Sequence, residues 1–237
     1  MRYPFAYQQV IYSFIGEIVV KSVRLFTIND INLIEIMQLL VELSQEKLNM
    51  NIPDSPSTVC PYGLGDPHAS LQVYIANVPQ HDDLSELSQV KPLRNSEIEM
   101  IGNACGNGWR KVFNVYAKFV YALAGMQGAP NEFSGISKDF SSWQQYRDQQ
   151  LLQCQSQTVL LFSKPDFDLY PDASIRIVMG RTYAKTLAIP NLVWLNEEFA
   201  ISESQNLIVC PYFDYRQLSN IKIIYLCDLI KKLTDIQ

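Results

Sequence analysis

A loop rich in polar and aromatic side chains follows the apolar run Asn206–Cys210, which is typical of a buried strand. Within this loop Tyr212 could stack on a ring, Arg216 could contact an anion, and Asp214 could orient Arg216 or act as a base. The structural alternative is that Asp214 pairs with Arg216 or caps the next helix while Tyr212 packs inward. The loop predicts a ligand site, and its pattern assigns no catalytic residue.

Polar residues also stand at the ends of three other predicted strands. They are Asn77, Ser163, and Gly180 with Arg181. Because parallel strands share a direction, residues just after each strand collect at one edge of a sheet. We therefore expect these ligand-binding side chains to converge on one crevice: Asn77, Ser163, Arg181, Tyr212, Asp214 and Arg216. Asn77 would be its hydrogen-bonding reader, and Gly180 would serve either ligand approach or tight packing.

A cysteine lies in a glycine-rich break before a long helical pattern. The segment Gly102–Trp109 reads GNACGNGW and places Cys105 where the helix dipole would lower the pKa of the thiol. Backbone N–H groups there could form an oxyanion hole, and His68 or His81 would supply the base. A cysteine-dependent hydrolase is therefore an alternative function, although glycine-rich breaks between helices also serve only to turn the chain.

The remaining cysteines and histidines predict neither disulfides nor a metal. Five cysteines occur without a CxxC pair, and neither histidine lies at ligand spacing from a cysteine pair. We expect reduced thiols, no structural metal and no cofactor. No apolar run reaches the roughly 18 residues that span a bilayer, and no secretory cleavage site follows the apolar start. The sequence thus predicts a soluble, cytoplasmic protein with no membrane partner.

The net charge of −5 is unevenly distributed along the chain. Met1–Val90 holds 4 basic and 10 acidic residues, Lys91–Gln150 holds 7 and 5, and Leu151–Gln237 holds 8 and 9. The acidity belongs to the N-terminal part, and the rest is close to neutral. A nucleic-acid partner is therefore neither indicated by a basic stripe nor excluded by repulsion.

The first quarter of the chain differs in pattern from the rest. Asn29–Leu48 has the apolar spacing of an amphipathic helix, and Asn51–Ser70 is rich in proline and glycine, as a linker or extended arm would be. We predict an N-terminal appendage of residues 1–65 and an α/β domain of residues 66–237. The helix gives a third functional class, an interaction module that docks a partner or a second copy of the chain in a homodimer.

From Leu71 onward, short apolar runs alternate with helical segments. The predicted strands are Leu71–Val78, Thr158–Phe162, Ser174–Met179, Leu192–Leu195 and Asn206–Cys210. The predicted helices are Asn95–Ala104, Trp109–Ala124, Ser141–Gln153, Arg181–Ala188 and Ile221–Leu233. This alternation favours a three-layer α/β fold, in which helices cover both faces of a mostly parallel sheet.

Four segments carry a family resemblance over about two thirds of the chain. They are VYIANVP (Val73–Pro79), VLLFS (Val159–Ser163), IVMGRTYAKTL (Ile177–Leu187) and LIVCPYFDYRQLSN (Leu207–Asn220). Their order resembles the uracil-DNA glycosylase fold. In those enzymes the first loop supplies water-activating chemistry, the second a base-reading asparagine and the last a histidine that stabilises the departing base. The whole chain also resembles uncharacterised bacterial proteins.

The chain departs from the glycosylase pattern at each of these loops. Asn77 is the polar side chain of the first loop before Pro79, Ser163 replaces the asparagine, and Cys210 precedes Pro211 where the histidine would stand. The resemblance therefore implies the fold and a pocket for a small molecule, a nucleobase or nucleic acid, without the residues of glycosylase catalysis. Base extrusion would still need an aromatic stacking partner and a basic channel.

Overall fold

The structure, a computed structural model, describes residues 60–81, 84, 86–167 and 175–235. The predicted helix Asn29–Leu48 and most of the predicted appendage lie outside the described residues. The division of the chain near residue 65 stays a prediction.

The described residues form a mixed sheet whose centre is parallel. Its strands are β1 (Gly63–Gly65), β2 (Leu71–Tyr74), β3 (Val90–Lys91), β4 (Thr158–Leu161), β5 (Ile175–Met179), β6 (Val193–Trp194), β7 (Ala200–Ser202) and β8 (Leu207–Cys210). They lie side by side in the order β3-β1-β4-β2-β5-β8-β7-β6. The run β4-β2-β5-β8 is parallel throughout, and β1 with β4, β8 with β7, and β7 with β6 are antiparallel.

Helices accompany the sheet on both faces. They are α1 (Glu97–Ala104), α2 (Asn107–Ala124), α3 (Ile136–Asp139), α4 (Trp143–Gln149), α5 (Arg181–Lys185) and α6 (Asn220–Asp235), with short 3-10 turns at Asn131–Phe133 and Glu203–Gln205. Helix α4 begins after Ser142, whose hydroxyl accepts the backbone N–H of Gln145, as a capping side chain does. From Leu71 onward the predicted element types are confirmed, and the ends differ by a few residues.

The central strands are apolar on both sides because both faces of the sheet are covered. All residues of β2, β4, β5 and β8 are buried. One face packs against α2 and α6, where Val73 and Ile208 meet Phe119 and Leu226 in the larger core. The other face packs against Ala184 of α5 and the residues that follow it. The α/β class with a mostly parallel, two-sided sheet is therefore confirmed.

Strand β1 corrects the interpretation of Asn51–Ser70 as a linker without regular structure. It lies inside that stretch and joins β3 to β4. A Cβ atom on Gly63 would stand 2.1 Å from the Leu160 carbonyl oxygen, so only glycine lets the two backbones approach this closely. The glycines that look like linker residues in the sequence are therefore required by strand pairing.

Among the described helices, none is long and apolar enough to cross a membrane.

Candidate functional site

The parallel strands bring their carboxyl ends to one edge of the sheet. Tyr74 at the end of β2 pairs with Leu161 of β4 and with Val178 of β5, and Met179 pairs with Cys210 at the end of β8. The loops that follow these strands therefore start side by side, as the sequence pattern predicts. What each loop contributes depends on its own contacts.

The loops after β2 and β8 meet through Asn77 and Tyr212. Burial raises the pKa of the Tyr212 phenol, and a side-chain hydrogen bond with Asn77 opposes that shift. Tyr212 is half-buried against the core, whereas Asn77 is exposed. Two of the predicted site residues, 135 positions apart in the chain, are thus brought into contact at the sheet edge.

Asp214 lies between two cations. Its Oδ2 atom accepts hydrogen bonds from Lys111 Nζ at 2.9 Å and from Arg216 Nη2 at 3.2 Å, and its Oδ1 atom accepts the backbone N–H of Arg216 at 3.0 Å. The bonds from Arg216 and Lys111 hold the pKa of this carboxyl well below its usual range. Asp214 therefore stays ionised at neutral pH and is a weak general base.

Tyr215 presents its ring beside the same cations. Its side chain is 58% exposed, Lys111 Nζ lies 5.4 Å from the ring centroid, and Arg216 Cζ lies 5.9 Å from it. Arg216 is 67% exposed, whereas Lys111 and Asp214 are largely covered. The exposed ring and guanidinium form a surface that we call the Tyr215–Arg216 platform. It can stack on a planar group and contact an anion.

The platform is held by its neighbours in the loop. Phe213 is fully buried and packs edge-on against Tyr116 and Phe119 of α2, with centroids 5.6 and 6.1 Å apart. The backbone N–H groups of Gln217 and Leu218 donate to the Asp214 carbonyl. Phe213 therefore anchors the loop on α2, while the side chains of Tyr215 and Arg216 face outward.

Arg181 contacts a different part of the chain from the platform. Its guanidinium donates to the Glu197 carbonyl at 2.8 Å and lies 5.0 Å from the Trp194 ring centroid, beside the β6–β7 hairpin. Gly180 just before it has φ +92°, and a Cβ atom there would meet nothing within 4 Å. The backbone conformation, and not tight packing, therefore requires glycine at this turn.

Ser163 lies toward the face of the sheet that α5 covers, whereas the platform loop packs on α2 at the other face. It is 6% exposed and lines a small cavity with Asp66, Tyr74 and Lys164. Its hydroxyl has no hydrogen-bond partner among the described residues. The six predicted residues thus form two contact pairs, Asn77 with Tyr212 and Asp214 with Arg216, while Ser163 and Arg181 have other surroundings. Their convergence on one crevice stays a prediction.

Cys105 lies just before a long helix, as expected, but its thiol does not have the lowered pKa that was expected. Helix α2 begins at Asn107, two residues after Cys105 and two before the predicted start at Trp109, and the Sγ atom donates to the Gln80 carbonyl at 3.6 Å. Burial raises the pKa of the thiol, so the expected lowering by the helix dipole is wrong. Within the described part of the chain, the one hydrogen-bond partner of this thiol is a carbonyl oxygen and not an imidazole.

Lys111 is the site residue that sequence reasoning missed. The helical pattern of α2 identifies only its apolar face, and one lysine on the polar face carries no signal of its partner.

All five cysteines are unpaired thiols. Over the described ranges, no group of three His, Cys, Asp or Glu side chains could hold a metal ion.

Comparisons with known proteins place the chain in one family. The model of a family described as "Family of unknown function (DUF6942)" matches residues 62–231, well over half of the chain. The chain therefore belongs to that family, and the match includes every residue of the candidate site. No curated protein and no solved structure matches the chain.

Proposed function

We propose that this member of the DUF6942 family binds a nucleobase-containing ligand at the carboxyl edge of its sheet, without catalysis by the residues of the site. The observation that carries the proposal is the Tyr215–Arg216 platform, an exposed ring next to an exposed guanidinium on a loop that follows a central parallel strand. Proteins that hold unpaired bases combine aromatic stacking with cationic contacts to phosphate in this way.

The charges at the platform favour a ligand of low charge. Lys111 and Arg216 carry two positive charges, and Asp214 between them cancels one. A single net positive charge suits a mononucleotide or a short single strand better than a long duplex, which requires many phosphate contacts. Tyr212 in the same loop and Asn77 in the loop after β2 supply polar groups that could read a base edge.

The ionisable groups at the site do not favour catalysis. Asp214 is held ionised by its cations, and burial raises the pKa of the Cys210 thiol at the position of the glycosylase histidine. Burial likewise raises the pKa of the Cys105 thiol, which weakens the hydrolase alternative. The resemblance to uracil-DNA glycosylases supports the place and class of the ligand, and these departures argue against base cleavage.

Binding measurements on the full chain test this proposal. Uridine, uridine monophosphate and a short uracil-containing single-stranded DNA are titrated into the wild type, Tyr215→Ala, Arg216→Gln and a control. The control is Ile221→Ala, whose side chain is 83% exposed in the first turn of α6. We expect Tyr215→Ala to weaken binding of all bound ligands about tenfold, as loss of one stacking contact does. Arg216→Gln should remove the preference for the monophosphate over uridine.

Two results would contradict the proposal. One is that none of the three ligands gives a saturable signal with the wild type. The other is that Tyr215→Ala binds as tightly as the Ile221→Ala control. Release of uracil from single-stranded DNA, followed in parallel, would show instead that the protein is a catalyst.

A further inference from the structure

The loops that follow β5 and β8 leave the carboxyl edge of the sheet toward opposite faces. The chain after β5 enters α5, whose Ala184 belongs to the same core cluster as Val178 on one face. The chain after β8 leads to α6, whose Leu226 belongs to the same core cluster as Ile208 on the other face. Because β5 and β8 are parallel neighbours, their diverging loops open a crevice between them. Ligands of open parallel sheets bind at such a switch point.

Gly180 keeps the backbone open at this crevice. Its N–H donates to the Cys210 carbonyl at 2.8 Å, which places the turn after β5 directly beside the end of β8. A Cβ atom on Gly180 would meet nothing within 4 Å. A glycine with open space around it lets a ligand come close to the backbone.

Arg181 follows Gly180 and carries a charge that no carboxylate neutralises. Its guanidinium is held by two uncharged groups, the Glu197 carbonyl at 2.8 Å and the Trp194 ring with its centroid at 5.0 Å. The side chain is exposed and makes no ion pair among the described residues. A guanidinium that is fixed, exposed and charged in this way can contact a phosphate group.

Arg181 and the Tyr215–Arg216 platform follow neighbouring strands, one on each side of the crevice. Each presents a guanidinium beside an aromatic ring. A mononucleotide has one phosphate and can engage one of the two guanidinium groups. A 5′-phosphorylated strand of two or more nucleotides has phosphates for both.

Two carboxylates belong to the turn between β6 and β7, beside Arg181. Glu198 is paired with Lys222 of α6 at 2.6 Å, whereas Glu197 is exposed and has no ion pair among the described residues. The charge of Glu197 opposes a ligand with many phosphates. The charges at this edge therefore suit a short strand better than a duplex, which needs many cationic contacts.

We propose that the ligand is a short single strand of nucleic acid that crosses the crevice over Gly180, with a base on the platform and a phosphate on Arg181. This inference rests on the proposed function, because it starts from a base stacked on Tyr215. It adds a second contact point, which makes affinity depend on the length of the strand.

Binding of strands of increasing length to the full chain tests the inference. The probes are uridine monophosphate and 5′-phosphorylated oligouridylates of about two to six nucleotides. We expect the affinity of the wild type to rise about tenfold once the strand reaches Arg181, as one charge-assisted hydrogen bond provides, and then to level off. Arg181→Gln should remove this gain and make the dependence of log Kd on log salt concentration shallower by about 0.7 for the longer strands.

Two further variants separate this contact from general charge effects. Lys185→Gln removes an exposed lysine from the last turn of α5 and should keep the gain with length. Glu197→Gln should strengthen binding of the longer strands by up to about fivefold, because it removes a negative charge beside Arg181.

The results distinguish this inference from the proposed function. If uridine monophosphate binds but longer strands bind no more tightly, the inference fails and the proposed function stands. The same conclusion follows if Arg181→Gln and Lys185→Gln change the gain with length equally. If neither the monophosphate nor any strand gives a saturable signal, both fail.

Discussion

Asp214 has a structural role at the platform that its residue type alone does not reveal. It joins Lys111 of α2 to Arg216 of the loop after β8, and its side chain is only 14% exposed. An aspartate in a loop is usually an exposed cap or turn residue. Here it fixes the position of the guanidinium that a ligand would meet.

The lowered pKa of Asp214 predicts a pH-dependent contribution to stability. Because the pKa is lower in the folded chain than in the unfolded one, the stabilisation is present above about pH 4 and is lost as the pH falls through the folded value. We expect Asp214→Asn to lower the free energy of unfolding by about 1 kcal/mol at pH 7, as loss of a largely covered ion pair does. Urea unfolding at a series of pH values measures the difference.

The control for this prediction is Asp228→Asn on the exposed side of α6, at a carboxylate with no ion pair among the described residues. Its effect on the free energy of unfolding at pH 7 should stay within about 0.5 kcal/mol. If the loss of unfolding free energy in Asp214→Asn, relative to the wild type, stays constant down to pH 3, then the carboxylate is not held ionised by Lys111 and Arg216.

At the level of elements, β1 depends on glycine for its place in the sheet. We expect Gly63→Ala to destabilise the protein by about 3 kcal/mol, because the added methyl group meets the backbone of β4 and not a movable side chain. Gly108→Ala, in the first turn of α2 with nothing within 4 Å of the new atom, should be neutral or stabilising by up to about 1 kcal/mol. Urea unfolding of both variants is the measurement. Equal stability of the two would mean that β1 does not pair with β4.

Helix α2 supports the platform. Lys111 extends to the loop after β8, and the apolar face of the helix is buried against the sheet. The helix is a rigid support, with Tyr116 donating through its hydroxyl to the Val159 carbonyl of β4. Sites on such elements hold their side chains more accurately than sites on loops alone.

At the scale of the whole molecule, the position of β1 changes where the folded domain should be cut. We expect a chain of residues 58–237 to unfold cooperatively, because it keeps β1 between β3 and β4. A chain of residues 66–237 lacks that strand and should be less stable or should aggregate, since its sheet then exposes an unpaired edge. Thermal unfolding followed by circular dichroism compares the two. Aggregation of both chains, when the full chain is soluble, would mean that residues 1–57 are an integral part of the fold.

The sequence by itself determined the elements whose signal is local. Runs such as Leu207–Cys210 predict buried strands, and the apolar face of α2 predicts a helix on a sheet, because side-chain periodicity follows directly from backbone geometry. It also determined that the strand ends share an edge, since parallel strands run in one direction. The short strands β1, β3 and β7 escaped prediction because, unlike β6, they do not lie within a longer apolar run.

Only the tertiary structure decided which polar residues meet. Asp214 and Lys111 are 103 positions apart, and no local pattern encodes their contact. Burial raises the pKa of Cys105, whereas the helix terminus that the sequence displays predicts a lowered pKa. Gly102 is another example. In the sequence it looks like a residue that weakens a helix, but in the fold the side chain of Arg110 packs against it. Partners and burial are properties of the assembled fold, and for this reason the sequence located the candidate loops but not the full set of their contacts.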